Sequence, residues 1–434
     1  MKIMVIGGGG REHAIIKKLR QSPKVSEIFA LPGNGGMVKE AVCTGIAAKD
    51  IGAAVRFAKE NAIDFAVVAP DDPLVLGAVD ELENVGVPCF GPNKAAAIIE
   101  GSKVFSKNLM KKYGIPTADC EIFTDIDAAL KYIETAPVPT VIKADGLALG
   151  KGVIIARTRS EAAAAVRSIM GDKIFGESGN QIVIEEFLEG PEVSVLSFTD
   201  GKTLVPMISA MDHKPAKDGD MGLNTGGMGV IAPNPYYTEK IANECMEKIF
   251  IPTVNAMNEE GRMFKGCLYF GLMLTKNGPK VIEYNCRFGD PEAQAVLPLL
   301  ESDLLEIMIA VRNGALGETK IKFSNDHACC VVMASSGYPL QYEKGFQINL
   351  PSREPPGTAI YIAGAKLADD GKGKGSGKLL TDGGRVLGVT AVAPDLKSAI
   401  DRAYETLGLI DFENHYYRSD IGQKALRLSR ETQE

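Results

Sequence analysis

Short apolar runs alternate with amphipathic stretches at the start of the chain. Residues 2–6 form an apolar run that predicts a buried strand, and a helix is predicted at Glu12–Gln21. The same alternation continues with a strand at Glu27–Leu31, a helix at Gly52–Asn61 and a strand at Phe65–Ala69. Because strands that alternate with helices build parallel sheets, we predict a Rossmann-like N-terminal domain over residues 1–101.

The rest of the chain mixes strands and helices less regularly. Strands are predicted around Val138–Ala156 and at Ile182–Glu186, Val193–Phe198, Cys267–Leu274 and Lys280–Tyr284, and helices from Lys94 to Tyr113 and at Thr238–Asn258 and Pro291–Asn313. We interpret residues 102–326 as an α+β body with a small lid inserted at 118–187. Residues 327–434 are expected to form a small α+β C-terminal domain with strands Ala328–Ala334 and Arg385–Ala393, a helix at Asp395–Thr406, and a mobile Gly/Lys-rich loop at Asp369–Lys378.

Composition excludes several classes of protein. With 434 residues, of which 45% are hydrophobic and 24% charged, the chain can bury more than one core. The net charge of -7 argues against nucleic acid as a partner. The eight cysteines form no C-x-x-C pair, which favours reduced cytosolic thiols over a zinc site. Glycine follows only six residues into the chain, too early for a signal peptide, so we expect a cytoplasmic monomer or weak homodimer without a membrane partner.

A glycine turn at Gly7–Gly10 joins the first strand to the first helix. Free N–H groups and the helix dipole at such a turn favour phosphate. Dinucleotide binding is disfavoured, because no frame gives G-x-G-x-x-G/A and no acidic residue ends the second strand. We expect the phosphate of a smaller ligand, held by Gly9, Gly10, Arg11, Glu12, Asn34 and Gly35, with Asp72 at the end of a neighbouring strand. The alternatives are a tight turn without a ligand and a helix-capping role for Asp72.

The residues after Val138 contain features of a nucleotide site, although no G-x-x-x-x-G-K-[ST] motif is present. Lys143 lies inside an apolar strand that leads into the glycine-rich stretch Gly146–Gly152. A buried lysine is costly unless it meets an anion, although a structural lysine is the alternative. The segment Ile182–Glu192 gives an apolar strand, a short hinge and an acidic residue. Such a hinge can offer backbone groups to adenine while Glu192 accepts hydrogen bonds from ribose hydroxyls.

Three polar side chains of a later strand are predicted to share one face. Glu283, Asn285 and Arg287 alternate with other residues, so they point to the same side of the strand. Two oxygen ligands and a guanidinium suit polyphosphate bound to Mg²⁺, whereas a plain polar strand face is the alternative. The continuation Phe288–Glu292 makes the motif more specific. The preceding strand Gly266–Leu274 carries no carboxylate, so the metal ligands beyond Glu283 and Asn285 stay open.

The order of lysine strand, glycine lid, hinge glutamates and acidic strand resembles that of ATP-grasp enzymes. Within that superfamily the chain is similar to the phosphoribosylamine-glycine ligase family at Gly9–His13, Pro32–Asn34, Glu100–Lys103, Asp212–Gly229, Cys286–Glu292 and the tail Tyr416–Gly422. The resemblance covers essentially the whole chain, with small departures such as Gly35 and Gly36. It implies an ADP-forming ligase of purine biosynthesis that joins glycine to 5-phosphoribosylamine through glycyl phosphate, with ATP and Mg²⁺ or Mn²⁺ as cofactors.

The resemblance also implies roles for individual residues. ATP would be bound by Lys103, Lys143, Gly146, Gly150, Lys151, Gly152, Glu185, Glu186, Phe187, Leu188 and Glu192. The substrates would meet Asp212, His213, Lys214, Gly226, Gly227 and Arg287, in addition to the residues of the glycine turn. Arg287, Lys143 and Asp212 would be catalytic, with Asp212 anchoring the glycine ammonium. His213 would be a general base or a loop hydrogen-bonding group.

Three other functions stay open as rivals. Another ATP-grasp ligase or carboxylating enzyme would share the nucleotide residues. A nucleotide-binding module without catalysis is disfavoured by the strand that carries Glu283 and Asn285. An oxidoreductase is disfavoured by the failed dinucleotide motif.

Overall fold

A computed structural model describes residues 1–147, 152–368 and 377–431. Its first sheet has five parallel strands in the order β3-β2-β1-β4-β5. Its elements are β1 (Lys2–Gly7), α1 (Gly10–Leu19), β2 (Glu27–Pro32), β3 (Val42–Cys43), α2 (Ile51–Glu60), β4 (Phe65–Val68), α3 (Asp71–Leu76), α4 (Ala78–Asn84) and β5 (Cys89–Phe90). Ile3 and Val5 pack in one core while Met4 and Ile6 pack in another. Both faces of β1 are therefore buried, which explains its unbroken apolar run.

The helical stretch predicted from Lys94 to Tyr113 is two helices, α5 (Lys94–Gly101) and α6 (Lys103–Tyr113). Ser102 interrupts it with extended backbone, and its hydroxyl accepts the N–H of Phe105 at 3.0 Å as the cap of α6. The helical stretch is therefore confirmed, but Ser102 divides it. A serine that competes for backbone hydrogen bonds is a typical cause of such a break.

A small four-stranded antiparallel sheet follows, in the order β6-β9-β7-β8. Its elements are β6 (Cys120–Phe123), α7 (Ile126–Ile133), β7 (Thr140–Ala144), β8 (Val153–Ala156), α8 (Arg159–Val166) and β9 (Ile182–Glu186). The sheet and its two helices enclose their own apolar core. This unit corresponds in position to the predicted lid.

The central segment contains strands β10 (Glu192–Thr199), β11 (Leu204–Pro206), β12 (Met211–Asp212), β13 (Pro215–Lys217), β14 (Met221–Asn224), β15 (Gly229–Ala232), β16 (Gly266–Thr275) and β17 (Gly278–Asn285), with helices α9 (Glu239–Cys245), α10 (Ile251–Glu259), α11 (Glu292–Val296) and α12 (Leu304–Asn313). Four of these strands form an antiparallel sheet in the order β11-β10-β16-β17. The continuous helix predicted at Pro291–Asn313 is wrong. Leu300 and Asp303 are extended, and the carboxylate of Asp303 caps α12 through the N–H of Leu305.

The last elements are β18 (His327–Ser335), β19 (Gln347–Ile348), β20 (Thr358–Ile362), β21 (Ala365–Leu367), β22 (Leu379–Thr381), β23 (Arg385–Ala393), α13 (Leu396–Leu407), β24 (His415–Tyr416) and α14 (Gln423–Glu431). A six-stranded sheet runs β12-β15-β18-β23-β20, and β24 pairs with β18. This sheet takes β12 and β15 from the central segment, so residues 211–232 link the two parts of the chain. Residues 369–376 of the predicted mobile loop lie outside the described residues.

The predicted fold class is confirmed as a multidomain α/β and α+β chain with a parallel N-terminal sheet, a lid-bearing centre and a C-terminal α+β unit. In the part of the chain that the structure describes, no helix has the length and apolar character needed to cross a membrane.

Candidate active site

A cavity of about 430 Å³ lies where the lid, the central sheet and the six-stranded sheet approach one another. Its lining includes these predicted site residues: Arg11, Lys103, Lys143, Gly152, Glu185, Glu186, Phe187, Leu188, Glu192, Asp212, Lys214, Gly226, Glu283, Asn285 and Arg287. A larger open cleft of about 760 Å³ beside Tyr342 and Lys344 is lined by none of the described members of that set. The smaller cavity is therefore the candidate active site.

Two lysines share one buried carboxylate on the lid side of the cavity. The Nζ of Lys143 lies 3.0 Å from Oε2 of Glu185, and the Nζ of Lys107 lies 3.1 Å from the same oxygen. Lys107 is also held by the hydroxyl of Thr117 at 2.8 Å. The other oxygen of Glu185, Oε1, is buried and has no hydrogen-bond partner within the part of the chain that the structure describes. Glu185 thus holds Lys143 in the cavity and keeps one acceptor for a ligand.

The strand β17 delivers the predicted acidic and amide groups to one face. Glu283 and Asn285 line the cavity, and Tyr284 also borders it, although the side chains of Tyr284 and Cys286 pack in the core. Burial would raise the pKa of Glu283, but Lys214, Lys143 and Lys103 outweigh it and lower this pKa. The carboxylate is therefore ionised and surrounded by cations. Gly271 of β16 lies opposite Glu283, where a side chain would crowd it, with Glu283 Cγ only 3.0 Å from a Cβ built there.

Arg287 lies just beyond the end of β17 and is held by acidic groups. Its Nη2 is 3.0 Å from Oε1 of Glu100 and 4.0 Å from Oδ2 of Asp71. Glu100 also accepts the N–H of Cys286 at 2.7 Å, which fixes the backbone after the strand. The Nε of Arg287 is buried and has no hydrogen-bond partner among the described residues. The guanidinium is thus oriented in the cavity, and its Nε–H is available as a donor to a ligand.

The last residue of β12, Asp212, and Lys214 just after the strand bring two charged side chains to the cavity. Lys214 lies 3.2 Å from Glu192 and 3.6 Å from Glu283, and Glu192 is the main cause of its raised pKa. Burial, and next the charge of Glu292, raises the pKa of Asp212 well above its usual value. A cationic ligand between Asp212 and Glu292 would relieve this repulsion.

His213 points away from the cavity. Its Nδ1 is 3.1 Å from the carbonyl oxygen of Gly229, and its Nε2 accepts the N–H of Gly422 at 3.2 Å. These contacts define a neutral ring with the proton on Nδ1. Burial, and then the charge of Arg418, lowers its pKa to about 4. The geometry therefore favours the loop hydrogen-bonding role over the general-base role.

Arg385 enters the cavity from β23 and ties three segments together. Its Nη1 donates to the carbonyl oxygens of Gly226 and Asp290, both at 2.7 Å. Its Nη2 lies 3.3 Å from the carboxylate of Asp290. At Gly227 the φ angle is +111°, and a Cβ there would lie 2.6 Å from Asp212. The two glycines let the chain pass between Arg385 and Asp212, which larger residues would prevent.

At the glycine turn, Glu12 closes the start of α1 from within. Its Oε2 accepts the N–H of Gly9 at 2.6 Å, and its Oε1 accepts from Nε of Arg11 at 2.6 Å. Arg11 also donates from Nη1 to the carbonyl oxygen of Phe288 at 3.2 Å. Arg11 reaches the cavity, whereas a phosphate at the N–H of Gly9 would have to displace Glu12.

The remaining predicted substrate residues have partners within the protein. Asn34 donates to the carbonyl oxygens of Gly8 at 2.9 Å and Ile362 at 2.8 Å, which joins the first sheet to the six-stranded one. Gly35 packs against the backbone near Lys366. Asp72 pairs with Lys49 at 2.5 Å, while Asp71 beside it lines the cavity.

Comparison with known proteins decides the family. Models of the phosphoribosylglycinamide synthetase N domain, ATP-grasp (A) domain and C domain match residues 1–100, 101–293 and 328–424. A phosphoribosylamine-glycine ligase from Caldanaerobacter subterraneus is 48% identical over 97% of this chain and 99% of its own length. The chain belongs to the phosphoribosylglycinamide synthetase family.

Other members of the phosphoribosylglycinamide synthetase family have the same extent or are larger. The trifunctional purine biosynthetic protein adenosine-3 of Gallus gallus is 46% identical over 98% of this chain, which spans 42% of that protein. The crystal structure of phosphoribosylamine-glycine ligase from Thermotoga maritima superposes with a TM-score of 0.83, at 31% identity over 97% of this chain and 100% of that one.

A biotin carboxylase domain from Hydrogenobacter thermophilus, 16% identical, shares the fold with a TM-score of 0.72, covering 96% of this chain and 91% of that one.

Some predicted residues lie outside the cavity or outside the described residues. Gly150 and Lys151 fall between the described ranges. Gly146 accepts the Nζ of Lys103 at 2.6 Å through its carbonyl oxygen, beside the lining. The other described members outside the lining are Gly9, Gly10, Glu12, Asn34, Gly35, Asp72, His213 and Gly227.

Sequence reasoning left several cavity residues of this family member out of the predicted site: Glu100, Lys107, Tyr269, Asp290, Glu292 and Arg385. Lys107 lies four positions after Lys103 on α6, so helical spacing could have identified it. Tyr269 faces Asn285 across two paired strands, and its hydroxyl donates to Glu292 at 3.0 Å. Nothing in the local sequence around Arg385 indicates a contact with residues 226–290.

Proposed function

We propose that the protein joins glycine to 5-phosphoribosylamine in an ATP-dependent reaction that yields glycinamide ribonucleotide, ADP and phosphate. The observation that carries this proposal is the single cavity that gathers the lysines of the lid side, the oxygen groups of β17 and the charged loop after β12. One cavity with these three groups allows a nucleotide and a small amino acid to meet.

The first step transfers the γ-phosphoryl group of ATP to a carboxyl oxygen of glycine. A carboxylate is a poor electrophile, and glycyl phosphate supplies the leaving group that it lacks. Lys103 and Lys143 balance the charge of the transferring group, and Asp212 with Glu292 holds the glycine ammonium. The hinge Glu186–Leu188 meets adenine through its backbone, and Glu192 meets the ribose.

In the second step the amine nitrogen of phosphoribosylamine attacks the acyl carbon of glycyl phosphate. The C–N bond forms, the bond from the carbonyl carbon to the phosphate oxygen breaks, and the amine loses a proton. Arg287 stabilises the charge that develops on the acyl oxygen, because its guanidinium is oriented and its Nε has no partner among the described residues. Arg11 binds the ribose phosphate.

The residues of β17 fit a divalent cation. Glu283 and Asn285 supply a carboxylate and an amide oxygen, the ligand chemistry that Mg²⁺ and Mn²⁺ share. Lys214, Lys143 and Lys103 lie near Glu283 and lower its pKa, so the carboxylate is ionised and able to bind a cation. The same lysines would balance the charge of a bound polyphosphate. When bound there, the cation would neutralise phosphate charge. Among the described residues, no group of three or more His, Cys, Asp and Glu forms a metal site, so the ligand shell would need ATP or water.

An omission assay tests this function. ADP release is measured with ATP and Mg²⁺, leaving out glycine, phosphoribosylamine or both, and bicarbonate replaces glycine in a parallel reaction. We expect full release only with both substrates. Release supported by bicarbonate without glycine would overturn the proposal in favour of a carboxylating enzyme.

A further inference from the structure

The tail segment Arg418–Gly422, which we call the C-terminal strap, takes no part in the mechanism above. Its first residue is nevertheless one of the largest fully buried side chains, and Arg418 is only 1% exposed. An arginine is rarely buried unless all of its donors are satisfied. The partners of Arg418 therefore indicate what the strap does.

Arg418 joins the strap to the hairpin β13–β14. Its Nε and Nη2 form a fork on the two oxygens of Asp420, each at 2.8 Å. The same Nη2 donates to Asp220 at 2.9 Å, and Nη1 donates to the carbonyl oxygen of Pro215 at 3.1 Å. Asp220 and Pro215 belong to the hairpin, some two hundred residues earlier in the chain.

Neighbouring residues of the strap add further bonds to the hairpin turn. The N–H of Gly219 donates to Asp420 at 2.9 Å, and the N–H of Ser419 donates to Asp218 at 2.8 Å. The hydroxyl of Ser419 also donates to Asp218. Both sides of the turn are thus held by the same short segment.

The last residue of the strap, Gly422, contacts His213. The N–H of Gly422 donates to Nε2 of His213 at 3.2 Å, and His213 lies between Asp212 and Lys214. The side chain of Ile421 fills the space beside Gly229, where a Cβ would lie 2.7 Å from it. We call residues 213–229, which include the hairpin, the loop. The strap therefore contacts the loop at its start, at its turn and at its end.

The hairpin has little apolar packing of its own. All four residues of β14 are exposed, and Met221 and Leu223 are 65% and 53% exposed. A two-stranded hairpin without a buried face is marginally stable in water. The turn of the hairpin is therefore held by polar contacts, which come from the strap and from Lys424 on Asp220, while Arg385 holds the far end of the loop at Gly226.

We propose that the C-terminal strap is a positioning element that holds Asp212 and Lys214 in the geometry needed for glycine. This rests on the proposed function, in which Asp212 holds the glycine ammonium, and Lys214 lies two residues further along the same segment. Releasing the strap would let the loop move without altering the lid, so glycine binding should weaken while ATP binding is kept. A displacement of about 1 Å can cost up to a hundredfold in rate.

The test compares Arg418→Met and Asp220→Asn with Arg402→Met. Arg402 is a matched control, because it binds the carbonyl oxygen of Val392 at 2.8 Å within the same sheet-helix unit and none of its described hydrogen bonds reaches the hairpin. KM for glycine, ATP and phosphoribosylamine is measured for each variant. Trypsin cleavage after Lys217 is followed in the absence of substrates.

We expect the two strap variants to raise KM for glycine roughly tenfold, leave KM for ATP within about twofold, and speed cleavage after Lys217. Arg402→Met should leave all three values unchanged. Faster cleavage with unchanged KM for glycine, equal changes in all KM values, or the same effects in Arg402→Met would each overturn the proposal.

If Arg418→Met does not fold, Asp220→Asn decides, because it removes the same ion pair from the exposed side. Failure of the proposed function would look different. The wild-type enzyme would then release ADP without glycine, whereas the trypsin rates would still report whether the strap holds the loop.

Discussion

The nucleotide side of the cavity and the glycine turn of the first sheet differ in how far local sequence determines them. On β17, Glu283 and Asn285 reach the cavity because alternation along a strand is a local property. At the turn, Glu12 and Asn34 are engaged by the protein itself, at Gly9 and at Ile362. A strand motif thus predicts where its side chains go, whereas the role of a loop residue depends on distant parts of the chain that pack beside it.

The largest effect is expected at β17. Glu283→Ala and Asn285→Ala should each lower kcat about a hundredfold or more, because cation binding contributes several kcal/mol to phosphoryl transfer. ADP release at several Mg²⁺ concentrations measures this, and higher Mg²⁺ should partly restore one variant. Asn277→Ala, in the exposed turn before the same strand, is the control. Near-normal turnover of both variants at low Mg²⁺ would remove this strand from the mechanism.

A smaller effect is expected at the lysine that Glu185 holds. Lys143→Ala should raise KM for ATP and slow turnover, with kcat/KM falling roughly ten- to a hundredfold as a charge-assisted phosphate contact is lost. Lys131→Ala, on an exposed helix of the lid, should behave as wild type. Unchanged ATP kinetics in Lys143→Ala would show that this lysine is structural.

The glycine turn should respond selectively. Arg11→Ala is expected to lower kcat/KM for phosphoribosylamine roughly ten- to a hundredfold while KM for ATP and glycine barely changes. Glu12→Gln keeps an oxygen acceptor for the N–H of Gly9 but loses the ion pair with Arg11, so kcat/KM for phosphoribosylamine should fall less than in Arg11→Ala. A large loss of ATP affinity in Arg11→Ala would instead show that the glycine turn binds the nucleotide. The glycine turn and the nucleotide side of the cavity would then not have separate ligands.

His213 should affect stability against pH more than catalysis. Its pKa is lowered from 6.5 to about 4 in the folded protein, so the unfolded chain takes up a proton first as pH falls. This contribution to stability is complete above pH 6.5 and is lost between there and pH 4, up to about 3 kcal/mol. The free energy of unfolding is measured by urea titration at pH 7.5 and 5. It should change less between these two pH values in His213→Asn than in wild type. An equal change with pH in His213→Asn and wild type would contradict this prediction. His327→Asn is the control.

Much of the fold could be predicted, because periodic patterns are local. The strands β9 and β23 begin and end where their apolar runs place them. The breaks at Ser102 and near Leu300 were missed, since each depends on a side chain that caps the next helix. Long-range contacts were beyond local reasoning.

The same limit applies to the site. Lys143 and Glu283 could be found from an apolar strand and its alternation. Arg385 could not, because its partners Gly226 and Asp290 lie about a hundred residues or more away in sequence. The ion pair between Arg418 and Asp220 has the same character. Such contacts exist only once the sheets have packed.

The most direct test of the central claim is to follow the carboxyl oxygens of glycine. Glycine labelled with ¹⁸O in its carboxylate is turned over with unlabelled ATP and phosphoribosylamine, and the released phosphate is examined by mass spectrometry. If ATP activates glycine as glycyl phosphate, one ¹⁸O must pass into each phosphate, because the acyl carbon loses that oxygen when the amine attacks. Unlabelled phosphate alongside normal product formation would contradict the account.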